Sequence, residues 1–229
     1  MEGEYMSVGI FVTGTDTDVG KTFVSSLLVK GLREYGIQAG YFKGVSNKAA
    51  EDAKKVCEMS GLSEDYKEMS SYNLKNNYFP HLAARIEEVN IDMQKIIFDY
   101  QKMMKKYEFL VVEGSGGVVS PIKMEGNEII LLEDIIKNLG LSTILVARST
   151  EGTINHTVLT VEHLKRKGVS VKGIILNGYD KNNIIHLTNK EVIEKLTGIK
   201  NICTIPAIED NKISNEIIMD LIKMMNEVR

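Results

Sequence analysis

The feature that most narrows the fold of this chain is a regular alternation. Short, nearly continuous apolar runs rich in Val, Ile and Phe end on glycine or a polar residue, and longer segments with helical spacing follow them. The runs are Val8–Thr13, Ala39–Lys43, Phe109–Val112, Ser142–Ala147, Lys172–Leu176 and Ile202–Ile205. A run without polar interruption suits a strand buried on both faces, as in a parallel sheet. The helical segments are Lys21–Tyr35, Ala49–Ser60, Met93–Lys106, Leu131–Asn138, Asn155–Lys167, Asn189–Leu196 and Ser214–Val228. Strand–helix alternation on this scale predicts an α/β fold: a doubly wound, mostly parallel sheet with helices on both faces, forming one domain over residues 1–229. Such sheets bind ligands at the carboxyl ends of their strands, so motifs there carry extra weight.

Composition excludes other classes. With 43% hydrophobic residues and a net charge of -3, the chain is neither a disordered polyelectrolyte nor a whole-surface nucleic-acid binder. Cys57 and Cys203 are far apart and in no metal-ligand spacing, so they are expected to be buried thiols rather than a disulfide framework or a zinc site. The acidic start, Met1-Glu2-Gly3-Glu4-Tyr5, lacks the basic and apolar stretches of a signal peptide. No apolar run approaches the ~20 residues of a spanning helix, so a cytoplasmic protein without a membrane partner is expected. The segment Asp65–Asn90 is polar and irregular and is expected to be a loop with a short helix.

The first apolar run leads into Gly14-Thr15-Asp16-Thr17-Asp18-Val19-Gly20-Lys21-Thr22, and an apolar helix beginning at Phe23 follows. Polyphosphate oxygens need backbone N–H groups turned inward, which requires glycine at tight positions. The helix start adds the positive end of its dipole. Lys21 supplies a point charge for the β- and γ-phosphates, and the Thr22 hydroxyl suits Mg²⁺. This predicts a P-loop NTPase-type domain. The spacing departs from the usual pattern, because five residues separate Gly14 from Gly20.

Three further residues fall at expected strand or helix ends. Lys43 closes the second run, where it could hold an anion or a transferring phosphoryl group, or could be a solvated lysine. Asp52 lies in the first turn of a helix, where a carboxylate complements the dipole whether or not it meets a metal. Glu113 ends the run Phe109–Val112, ahead of Gly114-Ser115-Gly116-Gly117. A carboxylate there suits Mg²⁺, which takes one or two carboxylates beside phosphate oxygens.

Together these segments resemble the dethiobiotin synthetase family. Gly14-Thr-Asp-Thr-Asp-Val-Gly-Lys-Thr22 is similar to that family's phosphate loop, extra residue included. Val112-Glu113-Gly114-Ser115-Gly116-Gly117 with Ser120-Pro121-Ile122, Gly152-Thr153-Ile154-Asn155-His156, and the pairs Leu176-Asn177 and Ile205-Pro206 are similar to its later motifs, in family order from Val8 to Asp210. The resemblance implies an enzyme, usually a homodimer, that uses ATP to join CO₂ to 7,8-diaminononanoate and close a ureido ring. It implies nucleotide contacts at Asp18, Val19, Gly20, Lys21, Thr22, Phe23, Asn177 and Pro206, and Mg²⁺ at Thr22, Asp52 and Glu113. Thr17, Lys21 and Lys43 would surround the carbamate and γ-phosphate. Ser46, Asn47, Gly116 and, from a partner subunit, Gly152, Thr153 and Asn155 would meet the diamine substrate.

The sequence departs from the family around the amine site. Lys43-Gly44-Val45-Ser46-Asn47 replaces the usual Lys-Pro-Val-x-Ser, and Phe79-Pro80-His81 replaces Ser-Pro-His. Two other readings share the core. One is an ATPase switch of the partitioning or septum-positioning type, for which a second lysine early in the loop and a membrane-binding C-terminal helix would be expected. Here Thr15, Asp16 and Thr17 fill that part of the loop, and Ser214–Val228 reads as a helix packed on the sheet. The other is a related synthetase with a different amine substrate; the cobyrinate type carries a glutaminase domain for which 229 residues are expected to leave no room.

Overall fold

The structure, a computed structural model, describes residues 8–63, 65–208 and 213–226. Seven parallel strands form the main sheet: β1 (Val8–Gly14), β2 (Ala39–Ser46), β3 (Ser70–Asn73), β4 (Phe109–Gly117), β7 (Thr143–Arg148), β8 (Val171–Asn177) and β9 (Ile202–Ile205). Between β4 and β7 the chain makes an antiparallel hairpin of β5 (Pro121–Glu125) and β6 (Glu128–Leu131). The helices are α1 (Lys21–Glu34), α2 (Ala49–Ser60), α3 (Pro80–Ile86), α4 (Met93–Met104), α5 (Leu132–Leu139), α6 (Thr153–Arg166), α7 (Ile184–Thr197) and α8 (Asn215–Asn226).

The strand order is β3-β2-β4-β1-β7-β8-β9. From β1 the chain first steps to β2 and β3 on one side, then returns and proceeds through β7, β8 and β9 on the other. Right-handed crossovers in opposite directions put their helices on opposite faces. Accordingly α1 contacts α2 and α8, while α4 contacts α5 and α6 contacts α7. The reversal of direction places a crevice at the carboxyl end of β1, the phosphate-loop end.

Strand interiors match the expected apolar runs: Ile10, Phe11, Val12, Leu110, Val111, Leu145 and Val146 are all buried. Helix α1 buries Val24, Leu27, Leu28, Gly31 and Leu32, the spacing of one helical face. Each such fully buried Leu or Val contributes roughly 1.5–3 kcal/mol relative to exposure. Helix α4 buries Ile96, Tyr100 and Met103. The C-terminal helix α8 packs on α1 and β9 through Ile218, Leu221 and Ile222, so its apolar face is spent on the core. Its expected end at Val228, the N-terminal Met1–Tyr5 segment and the last matched residue, Asp210, lie outside the described residues.

Four expectations need correction. Asp65–Asn90 is not mainly loop: it contains a 3-10 turn at Tyr66–Met69, strand β3 and helix α3. Strand β3, Ser70-Ser71-Tyr72-Asn73, is polar because it is an edge strand paired only with β2, Lys43 opposite Ser70. Strands β2 and β4 run past their apolar runs to Ser46 and Gly117, so Glu113–Gly117 is strand rather than loop. At Gly114 a Cβ would meet Leu132 and Phe11, which is why a glycine-rich segment is held in the sheet. The stretch between Gly117 and Leu131, expected to carry no strand, forms the β5–β6 hairpin, turned by Gly126-Asn127, a two-residue turn signal. Finally, Cys57 and Cys203 are only half-buried, packed at the margin of the core, and no disulfide joins them.

Gly40 tests the packing of β2. A Cβ there would fall on the ring of Tyr107, itself 5% exposed. Gly40→Ala is expected to cost about 1–3 kcal/mol through overpacking, read as a lower urea midpoint with an unchanged slope.

Candidate active site

The parallel register determines which side chains meet. Tyr41 of β2 lies opposite Val111 of β4, and Phe42 lies opposite Val112, so Lys43 and Glu113 follow at the same level. Side chains alternate along a strand. Tyr41, Lys43 and Glu113 therefore share one face, the face covered by α1 and α2, while Phe42 turns to the other and packs its ring near Tyr100 of α4. Thr22 enters from the first turn of α1 and Asp52 from the first turn of α2.

These residues form a compact charged cluster. Lys43 Nζ is 2.6 Å from Glu113 Oε1 and 2.6 Å from Asp52 Oδ2. Thr22 Oγ1 donates to Glu113 Oε1 at 2.9 Å, and the Tyr41 hydroxyl donates to Glu113 Oε2 at 2.8 Å. Lys43 and Glu113 are only 4% and 2% exposed, so their charges depend on one another rather than on water. Burial works against the charged form of Lys43, but Glu113 and Asp52 outweigh it and raise its pKa above the ordinary value. Burial, reinforced by the Glu113 charge, pushes the Tyr41 phenol well above its usual range, so it remains a donor.

Lys21 is differently placed. Burial pushes its pKa down to about 8, with Lys43 acting in the same direction against the attraction of Glu113. Its Nζ donates to the Asp16 carbonyl at 2.8 Å, inside its own loop. The loop geometry depends on residues that tolerate a left-handed backbone: Asp18 has φ 52° and Gly20 φ 99°. Arg148, at the end of β7, braces the loop from behind, donating to the Asp18 carbonyl at 3.1 Å. Asn177, at the end of β8, donates to the Val19 carbonyl at 3.0 Å, and a Cβ on Gly20 would collide with it.

A cleft of ≈ 820 Å³ opens in front of this cluster. It is lined by Thr17, Asp18, Gly20, Lys21, Thr22 and Phe23 of the loop and α1, by Lys43, Ser46, Asn47 and Asp52, and by Glu113 and Gly116 of β4. Most of the candidate residues read from the sequence thus converge. Ser46 and Asn47 both face the cleft, and the Asn47 amide donates to Asn77 Oδ1 at 3.0 Å, joining the β2 end to the segment before α3.

Six candidates lie off this cleft. Val19 belongs to the phosphate loop, but its side chain is buried in the core, 2% exposed. Asn177 and Pro206 sit behind the phosphate loop, at the ends of β8 and β9, where Asn177 pairs with Ile205. Gly152, Thr153 and Asn155 form the start of α6. There Gly152 and Asn155 are exposed, while the Thr153 side chain is buried beside Thr157. The Thr153 N–H donates to the Thr150 carbonyl at 3.3 Å. Asn189 of α7 props the loop before α6 by donating to the Ser149 carbonyl at 3.1 Å.

Sequence reasoning missed Tyr41, Arg148 and Asn189. Each is distant in sequence from its partner and belongs to no local motif. It also gave no partner for His163, which contacts the buried Glu133 of α5 together with Lys167.

The donor set suits a hard divalent cation bound with phosphate. The Lys43 ammonium already marks a position where two carboxylates converge on one positive charge, with the Thr22 hydroxyl bonded to one of them. Among the described residues no group of three or more His, Cys, Asp or Glu side chains gathers, so an all-protein metal cage is not what the cluster offers. Two carboxylates and a hydroxyl beside a phosphate loop match Mg²⁺ that keeps substrate oxygens and waters as its other ligands.

Strand, glycine-bounded loop, helix and a carboxylate from the interior of the neighbouring strand define a P-loop nucleotide-binding α/β protein. A family model described as an AAA domain matches residues 8–215. Solved structures agree on the fold. The MinC:MinD cell division protein complex of Aquifex aeolicus aligns with a TM-score of 0.63 at 14% identity, covering 96% of both chains. A ParA family ATPase from Chlorobium tepidum aligns at 0.59 and 12% identity, covering 97% of this chain and 92% of that one. At such identities the likeness shows the fold alone.

Sequence relatives are more specific. The chain is 51% identical over 213 residues to the ATP-dependent dethiobiotin synthetase BioD of Clostridium perfringens, covering 90% of this chain and 93% of that one. It is 46% identical over 220 residues to that of Clostridium novyi, covering 93% and 92%. It is 41% identical over 199 residues to that of Brachyspira hyodysenteriae, covering 85% and 90%. The chain belongs to the ATP-dependent dethiobiotin synthetase family. Among the described residues, no helix is long and apolar enough to cross a membrane.

The two cleft lysines should respond oppositely to removal in the nucleotide-free protein. Lys43→Met leaves two carboxylates without their shared counter-charge and is expected to cost roughly 3–5 kcal/mol in urea unfolding. Lys21→Met removes a charge that burial penalises and is expected to leave stability unchanged or higher. Its folded pKa, about 8, lies below the ordinary 10.5, so the unfolded chain binds more protons between those values. The penalty is present below pH 8 and is relieved as pH rises toward 10.5. The difference between wild type and Lys21→Met should shrink over that window.

Proposed function

We propose that this chain closes the ureido ring of dethiobiotin from 7,8-diaminononanoate and CO₂ at the expense of ATP. The observation that carries the reading is the meeting of Lys21, Lys43, Thr22, Asp52 and Glu113 at the mouth of the phosphate loop, in one cleft, within a chain of this family.

One amine of the substrate takes up CO₂ and loses a proton, giving a carbamate. A carbamate oxygen attacks the γ-phosphorus, the bond to the β-bridging oxygen breaks, and ADP leaves. The second amine attacks the carbon of the resulting carbamic-phosphoric anhydride. The C–O bond breaks, inorganic phosphate departs, the amine proton is lost to solvent, and the five-membered urea closes. The protein's part is positioning and charge neutralisation, which is how phosphoryl transfer is generally catalysed.

The loop amides from Asp18 to Phe23 cradle the phosphates at the start of α1. Lys21 exchanges its bond to the Asp16 carbonyl for phosphate oxygens. Lys43, held charged by its two carboxylates, faces the carbamate and the transferring group, with Thr17 across the cleft. Thr22, Asp52 and Glu113 would hold Mg²⁺, which when bound would supply further positive charge to the phosphates. Ser46, Asn47 and Gly116 line the amine end of the site. Asn177 and the backbone near Pro206 receive the adenine behind the loop.

The start of α6 lies off this cleft and exposes Gly152 and Asn155. In a homodimer it is offered to the neighbouring subunit's site, where the positive end of its dipole suits the substrate's far carboxylate. The departures at Gly44, Ser46 and Asn47 are accommodated here without loss of the wall, because β3 pairs with Val45 and Ser46 and carries that edge of the cleft.

With purified protein, ATP turnover should require both 7,8-diaminononanoate and bicarbonate and should yield dethiobiotin. Turnover indifferent to the diamine would overturn the substrate assignment. Lys43→Ala should lower product formation by about 10²–10³-fold, the usual cost of one preorganised electrostatic contact.

A further inference from the structure

The mechanism leaves one polar group at the centre of the cluster without a role, the Tyr41 hydroxyl. Tyr41 has 0% exposure, does not line the cleft, and donates its hydroxyl to Glu113 Oε2. A carboxylate offers about four lone-pair positions on two oxygens. In Glu113 the two oxygens are divided by partner: Oε1 receives the Thr22 hydroxyl and Lys43 Nζ, both of the cleft, and Oε2 receives Tyr41, inside the sheet.

We propose that Tyr41 is a positioning residue that holds the Glu113 carboxylate turned, so that Oε1 alone is presented to the magnesium–nucleotide complex. This rests on the assignment of Glu113 to Mg²⁺ made above. The division is a consequence of the sheet. Tyr41 precedes Lys43 by two residues and so projects from the same face, and its register partner Val111 precedes Glu113 by two. One strand thus supplies a charged contact to one carboxylate oxygen and a neutral anchor to the other. Without the anchor the carboxylate can rotate about its terminal bond, a broad torsion, and offer either oxygen or both to Lys43. Hydrogen-bond partners of metal-ligating carboxylates tune metal affinity in this way.

The test is Tyr41→Phe, which keeps the ring and removes the donor. Calorimetry with a non-hydrolysable ATP analogue, titrating Mg²⁺ at fixed analogue concentration, reads the effect without turnover. The Mg²⁺ midpoint should rise by about 10–100-fold, while binding of the analogue without Mg²⁺ stays within twofold of wild type. Tyr100→Phe, a change at another buried tyrosine, should leave the midpoint in place. A midpoint within twofold of wild type in Tyr41→Phe, or an equal rise in Tyr100→Phe, would overturn the proposal. All titrations are run at a temperature where Tyr41→Phe remains folded by circular dichroism, and the pair Glu113→Gln and Tyr41→Phe/Glu113→Gln is compared there. The second change should add no further rise, and an added tenfold rise counts against Tyr41 acting through Glu113. Diamine dependence of wild-type turnover is measured separately, so an error in the function and an error about Tyr41 give different results.

Discussion

A lysine ammonium buried between two carboxylates connects the parts of this protein that matter for chemistry. Lys43 belongs to β2, Asp52 to α2 and Glu113 to β4, and Glu113 also takes the first-turn hydroxyl of α1. None of these charges is tolerable alone at such burial. The cluster therefore forms only when the register of β2 against β4 is correct and both helices have docked on that face. Folding and site assembly are one event here, because the same contacts neutralise the charges and set the catalytic geometry.

The cluster also explains the contrast between the two cleft lysines. Lys43 is satisfied by a carboxylate partner on either side. Among the described residues, Lys21 has only a neutral carbonyl as a close acceptor and carries the penalty of burial, which pulls its pKa down to about 8. A group in that condition gains the most from an arriving anion. The loop thus resembles a site whose positive charge is held ready at a cost in stability, and the brace from Arg148 and Asn177 keeps its backbone from relaxing around that charge.

Likeness of fold and likeness of sequence separate two readings that share a core. ParA and MinD proteins share the sheet and its helices at 12–14% identity, which reflects how few ways a parallel sheet can be wound around a phosphate loop. The amphipathic C-terminal helix, which an ATPase switch could spend on a membrane, is here spent on α1: a Cβ at Gly31 would meet Ile218 and Ile222. Together with the relatives at 41–51% identity, this favours a synthetase over a switch.

The sequence by itself determined the strand–helix alternation, the phosphate loop, and the local identity of Lys21, Thr22, Lys43 and Glu113. These are legible because apolar periodicity and a glycine-bounded loop are properties of neighbours in the chain. It did not disclose β3, whose polar residues are tolerable only because it pairs on one edge, nor the strand character of Glu113–Gly117, where glycines permit close packing against Leu132 and Phe11. Only the tertiary structure decided that Asp52 faces Lys43 rather than merely capping a helix, that Tyr41 anchors Glu113, and that Arg148 and Asn177 brace the loop. The physical reason is shared by all of these: each contact joins elements brought together by sheet register, and register is a property of pairs of strands that no single segment records.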